Sequence, residues 1–234
     1  MNLYQKYSGV YDLFQTNYER FFQVIEETIQ EYSHNPKSLL ELACGTGNIL
    51  QHFVNKYEIS GIDISASMLE QAKKKLPYVP LYEMNMANFR LGRKFDVVLC
   101  MYDSINHLLE YEDWIMMFKC VHNHLNPGGV FIFDMNTLER LDRLSQIPGF
   151  VQQKDDVYLI MKVNKLAKNV TNWNVKIFQK LKDNQYELGE DNIKETSFSP
   201  KIVKMDLEKL FGKVHIRTFE DGLNRDRIFF VCQV

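Results

Sequence analysis

Two runs of the chain carry residues able to do chemistry. In the first, residues 39–50 (LLELACGTGNIL), an apolar stretch carrying Glu41 leads into a turn holding Gly45 and Gly47, and a helix then begins. Glycines there let the backbone turn tightly and approach a ligand with no Cβ in the way, while helix-start amides face it. A dinucleotide fingerprint would put a third glycine where Leu50 stands, and Glu41 would repel a pyrophosphate lying on the turn. An acid in this place suits a cationic ligand. The second run, residues 94–108 (KFDVVLCMYDSINHL), reads as a buried strand that ends in Tyr102, Asp103, Ser104, Asn106 and His107. Active sites of open α/β sheets lie beyond the carboxyl ends of strands, so these side chains would surround a reacting centre, with His107 able to accept a proton and Tyr102 able to orient a reacting group.

S-adenosylmethionine answers the requirement for a cation, because its methionine end offers an ammonium to the acid and a carboxylate to helix-start amides. The segment ELACGTG resembles the first motif of the class I S-adenosylmethionine-dependent methyltransferases, an acid followed by three alternating glycines, with Ala43 in place of the first glycine. Downstream spacing agrees. Residues 57–65 (YEISGIDIS) form an alternating, β-branched run ending near Asp63, eighteen residues after Gly45. An acid so placed ends the second strand of a doubly wound fold, where its two oxygens can accept from both ribose hydroxyls. Ile64 could then lie against the adenine. Ser65 could cap a helix whose first turn brings Met68 to the pocket.

The resemblance further implies an acid-plus-apolar pair reading the adenine edge. Here that pair is Asn85 and Met86, the asparagine accepting through its carbonyl oxygen. It also implies an N-terminal lid tyrosine, best matched by Tyr11, with Tyr4 and Tyr7 on the same helical spacing. The expected cofactor contacts are therefore Glu41, Ala43, Cys44, Gly45, Gly47, Asp63, Ile64, Met68, Asn85, Met86 and Cys100, and the expected catalytic residues are His107, Tyr102 and Tyr11. The reaction implied is in-line methyl transfer to a nitrogen or oxygen of a small molecule, with S-adenosylhomocysteine leaving. A non-catalytic S-adenosylmethionine sensor is the alternative; an insertion filling the methyl site would favour it.

Composition bounds the partners. The chain has 234 residues and a formal net charge of −2, with no basic run, which disfavours nucleic acid. It has no long apolar segment and a polar, tyrosine-rich start, which points to the cytoplasm rather than a membrane or secretion. The four cysteines, Cys44, Cys100, Cys120 and Cys232, contain no CxxC pair, so neither a zinc site nor a disulfide scaffold is indicated. His122 and His124 would point to different sides of one helix at its C-terminal end, and no metal is expected. A monomer or homodimer is expected.

The elements that must position these residues follow from periodicity. An amphipathic helix over about residues 18–32 precedes the first strand, and strands and helices then alternate to residues 130–136, which implies a parallel sheet. Beyond Asn136 a short helix is followed by three alternating strands with Asn, Asp and Gly at their turns. A helix over 202–211 and a final hairpin return to the main sheet. The fold expected is α/β, a Rossmann-like doubly wound, mostly parallel seven-stranded sheet with an antiparallel β insertion after the fifth strand. Residues 1–136 and 201–234 would form the core with its lid helices, and residues 137–200 a cover over the substrate site, as in sugar-amine and glycine N-methyltransferases, which this arrangement resembles. In the cover Trp173, Phe178 and Tyr186 could present aromatic surface to a substrate.

Overall fold

The structure is a computed structural model that describes residues 4, 6–14, 18–183, 185–218 and 227–234. The turn of the final hairpin lies outside the described residues.

Seven strands form the main sheet: β1 (Ser38–Leu42), β2 (Glu58–Asp63), β3 (Leu81–Glu83), β4 (Phe95–Cys100), β5 (Leu125–Asn136), β10 (Lys213–Thr218) and β11 (Arg227–Gln233). Their order is β10-β11-β5-β4-β1-β2-β3. Pairs β1–β2, β2–β3, β1–β4 and β4–β5 are parallel, whereas β11 runs antiparallel to both of its neighbours. After β3 the chain crosses back over β1 to lay down β4 on its other side. That reversal opens a crevice at the carboxyl ends of β1 and β4, where ligands of open α/β sheets sit.

Strands buried on both faces read as near-continuous apolar runs, and Leu39, Leu40 and Leu42 of β1 are all fully buried. On one face Leu39 packs with Ile25 and Ile29 of α2 (Tyr18–Tyr32), Leu50 and Phe53 of α3 (Asn48–Phe53), and Leu69 of α4 (Ala66–Lys75). On the other, Leu40 and Leu42 pack with Trp114, Phe118 and Val121 of α5 (Tyr111–His124) and Val203 and Leu207 of α7 (Pro200–Leu207). Leu50, where a third motif glycine would stand, is fully buried in this layer. A Cβ on Gly61 of β2 would stand 2.7 Å from Leu50 Cδ1 and 2.8 Å from Cys44 Sγ.

Between β5 and α7 lie α6 (Leu138–Gln146) and an antiparallel sheet of β6 (Phe150–Lys154), β7 (Val157–Ala167), β8 (Val170–Lys180) and β9 (Tyr186–Thr196). Three of these strands match the sequence reading. The fourth, β6, is an added edge strand whose residues are all exposed, so no buried face imposes an alternating pattern on it. Tyr7, Val10 and Phe14 from the N-terminal segment pack against Val157, Leu159, Val175 and Ile193 of this sheet. That segment comprises a 3-10 turn (Tyr7–Gly9) and α1 (Tyr11–Phe14). Among the described residues no helix is long and apolar enough to cross a membrane.

Candidate active site

A cavity continuous with solvent opens at the crevice between β1 and β4. One wall is the glycine turn, with Glu41, Ala43, Cys44, Gly45, Thr46, Asn48 and Ile49. Asp63, Ile64 and Met68 come from the end of β2 and the start of α4, and Met86 from the loop after β3. The far wall holds Met101, Tyr102, Ser104 and His107, and the N-terminal segment closes over it with Tyr4 and Tyr11. Of the fourteen residues expected as cofactor contacts or catalytic groups, eleven are thus brought together, and Tyr4 and Ser104 join them.

Three others do not line the cavity. Gly47, at φ 78°, starts α3 and faces Ala72 and Leu76 of the neighbouring helix region, where a Cβ would stand 3.0 Å from Leu76 Cδ1. Cys100 is fully buried behind the wall, its Sγ 3.9 Å from Met86 Sδ. Asn85 is exposed, and its Oδ1 accepts from the Ala87 amide at 2.9 Å, an Asx-type turn that points its carbonyl back to the chain. Phe178 and Tyr186 likewise do not reach the cavity lining, and Trp173 packs with the apolar layer between the inserted sheet and the N-terminal segment.

The turn itself is braced by its acid. Asp63 accepts from the Gly45 amide through Oδ2 and from the Ser65 amide through Oδ1, both at 2.8 Å, so one carboxylate ties β2 to the glycine turn and starts α4. Burial raises the Asp63 carboxyl above its ordinary range against these bonds. Ala43 has φ 51°, a left-handed conformation in which a glycine would be unstrained. Beside it Glu41 is 3% exposed, and its Oε2 has no hydrogen-bond partner among the described residues. Burial, and then the neighbouring Asp63, push the Glu41 carboxyl well above the carboxylate range. That oxygen, on the wall of the cavity, is placed to accept from a donor or a cation entering it.

Sequence reasoning missed the strap that holds the N-terminal segment down. Asp12 accepts from Thr46 Oγ1 at 2.6 Å and Asn48 Nδ2 at 2.8 Å through one oxygen, and from Lys75 Nζ at 2.8 Å through the other. At the opposite end, Asp191 of β9 accepts from the Lys6 and Tyr7 amides at 3.1 and 2.7 Å. Contacts between residues this far apart in the chain leave no local spacing to read.

At the far wall Tyr4 Oη lies 3.1 Å from His107 Nε2, and His107 Nδ1 lies 3.2 Å from the Lys194 carbonyl. A carbonyl only accepts, so Nδ1 carries a proton and Nε2 is the nitrogen that faces Tyr4 in the cavity. Burial, then Glu195 and Asp103, raise the Tyr4 phenol well above its ordinary value. Tyr102 (φ 58°) and Asp103 (φ 52°) are consecutive left-handed residues. Arg227 holds them: its Nη2 donates to Asp103 Oδ1 at 2.6 Å and its Nη1 to Asp134 Oδ2 at 3.0 Å. The Asp103 amide also donates to Asp134 Oδ2 at 3.0 Å. The Tyr102 ring is stacked on Phe21 of α2, with centroids 4.2 Å apart. His124 bonds within the core, Nε2 accepting from the Leu91 amide and Nδ1 donating to the Cys120 carbonyl.

Comparison with known proteins gives this geometry a context. A family profile described as a methyltransferase domain matches residues 39–129. The chain is 35% identical over 133 residues to the dTDP-3-amino-3,4,6-trideoxy-alpha-D-glucopyranose N,N-dimethyltransferase of Streptomyces venezuelae, covering 55% of this chain and 56% of that protein. It is 36% identical over 104 residues to the dTDP-3-amino-3,6-dideoxy-alpha-D-glucopyranose N,N-dimethyltransferase of Streptomyces fradiae, covering 43% of this chain and 41% of that one. The matched part thus spans about half the length of these two relatives. The solved structure of Streptomyces venezuelae DesVI superposes with a TM-score of 0.84 at 26% identity, over 97% of this chain and 98% of that chain. The fold is shared also with CalS10 of Micromonospora echinaspora, an amino pentose methyltransferase solved with bound S-adenosylmethionine, at a TM-score of 0.81 and 21% identity over 100% of this chain and 99% of that one. Motif, fold and cavity coincide with these likenesses: residues 39–129 carry a methyltransferase domain, and the chain as a whole has the fold of S-adenosylmethionine-dependent methyltransferases.

Proposed function

We propose that the protein transfers a methyl group from S-adenosylmethionine to a nitrogen or oxygen of a small molecule, and that an amine is the preferred acceptor. The observation that carries this reading is the juxtaposition, in one cavity, of the orphaned Glu41 carboxylate at one wall and the Tyr4–His107 pair at the other. The residues fit the cofactor. Glu41 would receive its ammonium, Asp63 its ribose hydroxyls, and Ile64, Met68 and Met86 its adenine ring, Ile64 being 45% exposed at the wall. When bound, the cofactor supplies a methyl already activated by a sulfonium charge.

What remains for the chain is positioning and a proton. Holding nucleophile, methyl and sulfur in line is worth up to ~7–11 kcal/mol in favourable systems. Tyr102 and Tyr11 line the path, and Ser104 lies beside them. A small-molecule amine arrives protonated near neutral pH. It must give up its proton before attack, and Nε2 of His107 takes that proton directly or through the Tyr4 hydroxyl. The inserted sheet, with α6, forms a cover over the acceptor (residues 137–200), and residues 1–136 and 201–234 form the cofactor-binding core. The acceptor side is a small molecule rather than nucleic acid, and the protein acts in the cytoplasm as a monomer or homodimer.

The relatives named for N,N-dimethylation of dTDP-amino sugars make amino-sugar nucleotides the first acceptors to try. Incubation with methyl-labelled S-adenosylmethionine and a panel of such sugars, followed by mass spectrometry, should show label on the amine. Its loss in His107→Gln, with cofactor affinity retained, supports the proton role. A cavity that binds the cofactor but transfers no label to any amine or hydroxyl acceptor in a broad metabolite panel would favour the sensor instead.

A further inference from the structure

His107 is held by more than its own bonds. It ends a 3-10 turn, Ser104–His107, and residues 194–197, at the end of β9 and just after it, bond alternately to that turn and to Asn136 at the end of β5. The Lys194 carbonyl takes His107 Nδ1 at 3.2 Å. Glu195 Oε2 accepts from Asn136 Nδ2 at 3.0 Å, and the same Nδ2 donates to Asp103 Oδ2 at 2.6 Å. The Thr196 carbonyl accepts from Asn106 Nδ2 at 2.6 Å. Ser197 Oγ donates to the Asn136 carbonyl at 2.6 Å.

Two asparagines close this circle. Asn106 and Asn136 are 0% and 1% exposed. Asn106 Nδ2 donates to the Asn136 carbonyl at 3.1 Å, and its Oδ1 accepts the Asn136 amide at 2.9 Å, a reciprocal pair between the turn and the end of β5. Each group used is committed to backbone or to a buried acid, an arrangement that fixes one geometry because breaking any member strands a buried polar group.

We infer that Asn106 and Asn136 are positioning residues for His107, fastening its turn to the end of β9 so that the Lys194 carbonyl keeps the imidazole proton on Nδ1 and the Nε2 lone pair toward the cavity. The inserted sheet thereby sets the tautomer of a histidine carried by the core. Neither asparagine lines the cavity. The inference builds on the proton-accepting role given to His107, but its direct readout does not depend on turnover.

The test is nitrogen NMR of imidazole-labelled protein without cofactor, with the His107 signals assigned by their absence in His107→Gln. The native protein should show His107 as the single Nδ1–H tautomer. In Asn106→Ala, Nε2–H should appear, while calorimetric affinity for S-adenosylmethionine stays within about twofold and kcat falls about tenfold or more, part of the ~10²- to 10⁴-fold that a general base contributes. Ser197→Ala, which removes one hydrogen bond of the same circle, should move the tautomer ratio in the same direction by less, and serves if the first variant does not fold. A native Nε2–H tautomer, or an unchanged ratio in the folded variants, overturns the inference. An altered tautomer together with undiminished kcat in His107→Gln overturns only the proton role.

Discussion

Replacing Glu41 by glutamine separates what this site needs from what the fold prefers. The side chain is 3% exposed, Oε2 has no partner among the described residues, and burial with Asp63 nearby holds the carboxyl well above its usual range. The sign follows from the direction of that shift. A raised carboxyl contributes fully to stability below its unfolded value, and that contribution is lost as pH rises through the folded value. A glutamine side chain is near-isosteric and carries no charge, so cofactor-free Glu41→Gln should melt at least as high as the native protein at pH 7.5, and its melting temperature should vary less with pH. Binding should move the other way. A charge-assisted hydrogen bond is worth roughly 1.5–3 kcal/mol, so losing the one to the cofactor's ammonium should weaken affinity about 10- to 150-fold. Calorimetric titration at pH 7.5, paired with thermal melts of the cofactor-free protein, reads both. An affinity within threefold of native, or a substantially lower melting temperature, would refute the assignment of Glu41 as the unsatisfied acceptor of a cationic ligand.

Asp63→Ala should weaken cofactor binding, by removing the ribose acceptor, and also loosen the turn, since the Gly45 and Ser65 amides lose their partner; unchanged affinity in a titration would sink the role. Ala43→Gly should stabilise the protein by ~0.5–1 kcal/mol in urea unfolding, because the left-handed penalty of about 1–2 kcal/mol exceeds glycine's entropic cost; a loss of stability would count against that backbone. Arg227→Met leaves Asp103 and Asp134 buried without their cation, and should cost about 3–5 kcal/mol in the same assay. Native stability should fall between pH 5 and pH 7: burial pushes Asp134 up to about 6 against the pull of Arg227, and Glu41 and Glu195 are raised in the same direction. A melting temperature that rises across that interval would contradict the ordering of burial over pairing.

The cofactor half was legible because its requirements are local. A glycine turn at a strand end, an acid eighteen residues on and a capped helix are short-range devices, and the spacing brings Gly45, Asp63 and Ser65 together, although the Asp63 oxygens expected to face the ribose each accept a backbone amide at 2.8 Å. Ala43 shows the limit of that reading: the sequence shows a small residue in place of a glycine, and only the backbone shows that the position is left-handed. Asn85 shows another, since its turn with Ala87 uses the carbonyl expected to meet the adenine edge. The acceptor half was much less legible. The circle of Asn106, Asn136 and residues 194–197, and the strap from Asp12 to Thr46 and Lys75, join residues tens of positions apart. Pairings of that kind are set by tertiary packing and leave no periodic trace. Strand β6 escaped for the complementary reason, an exposed edge that buries nothing.

The central claim is that the crevice between β1 and β4 is an S-adenosylmethionine site, and calorimetric titration of purified, cofactor-stripped protein with S-adenosylmethionine, S-adenosylhomocysteine and NAD tests it most directly. The account predicts saturable binding of both adenosyl ligands, weakened in Asp63→Ala, and none of NAD. Absence of adenosyl binding, or preference for NAD, would contradict it.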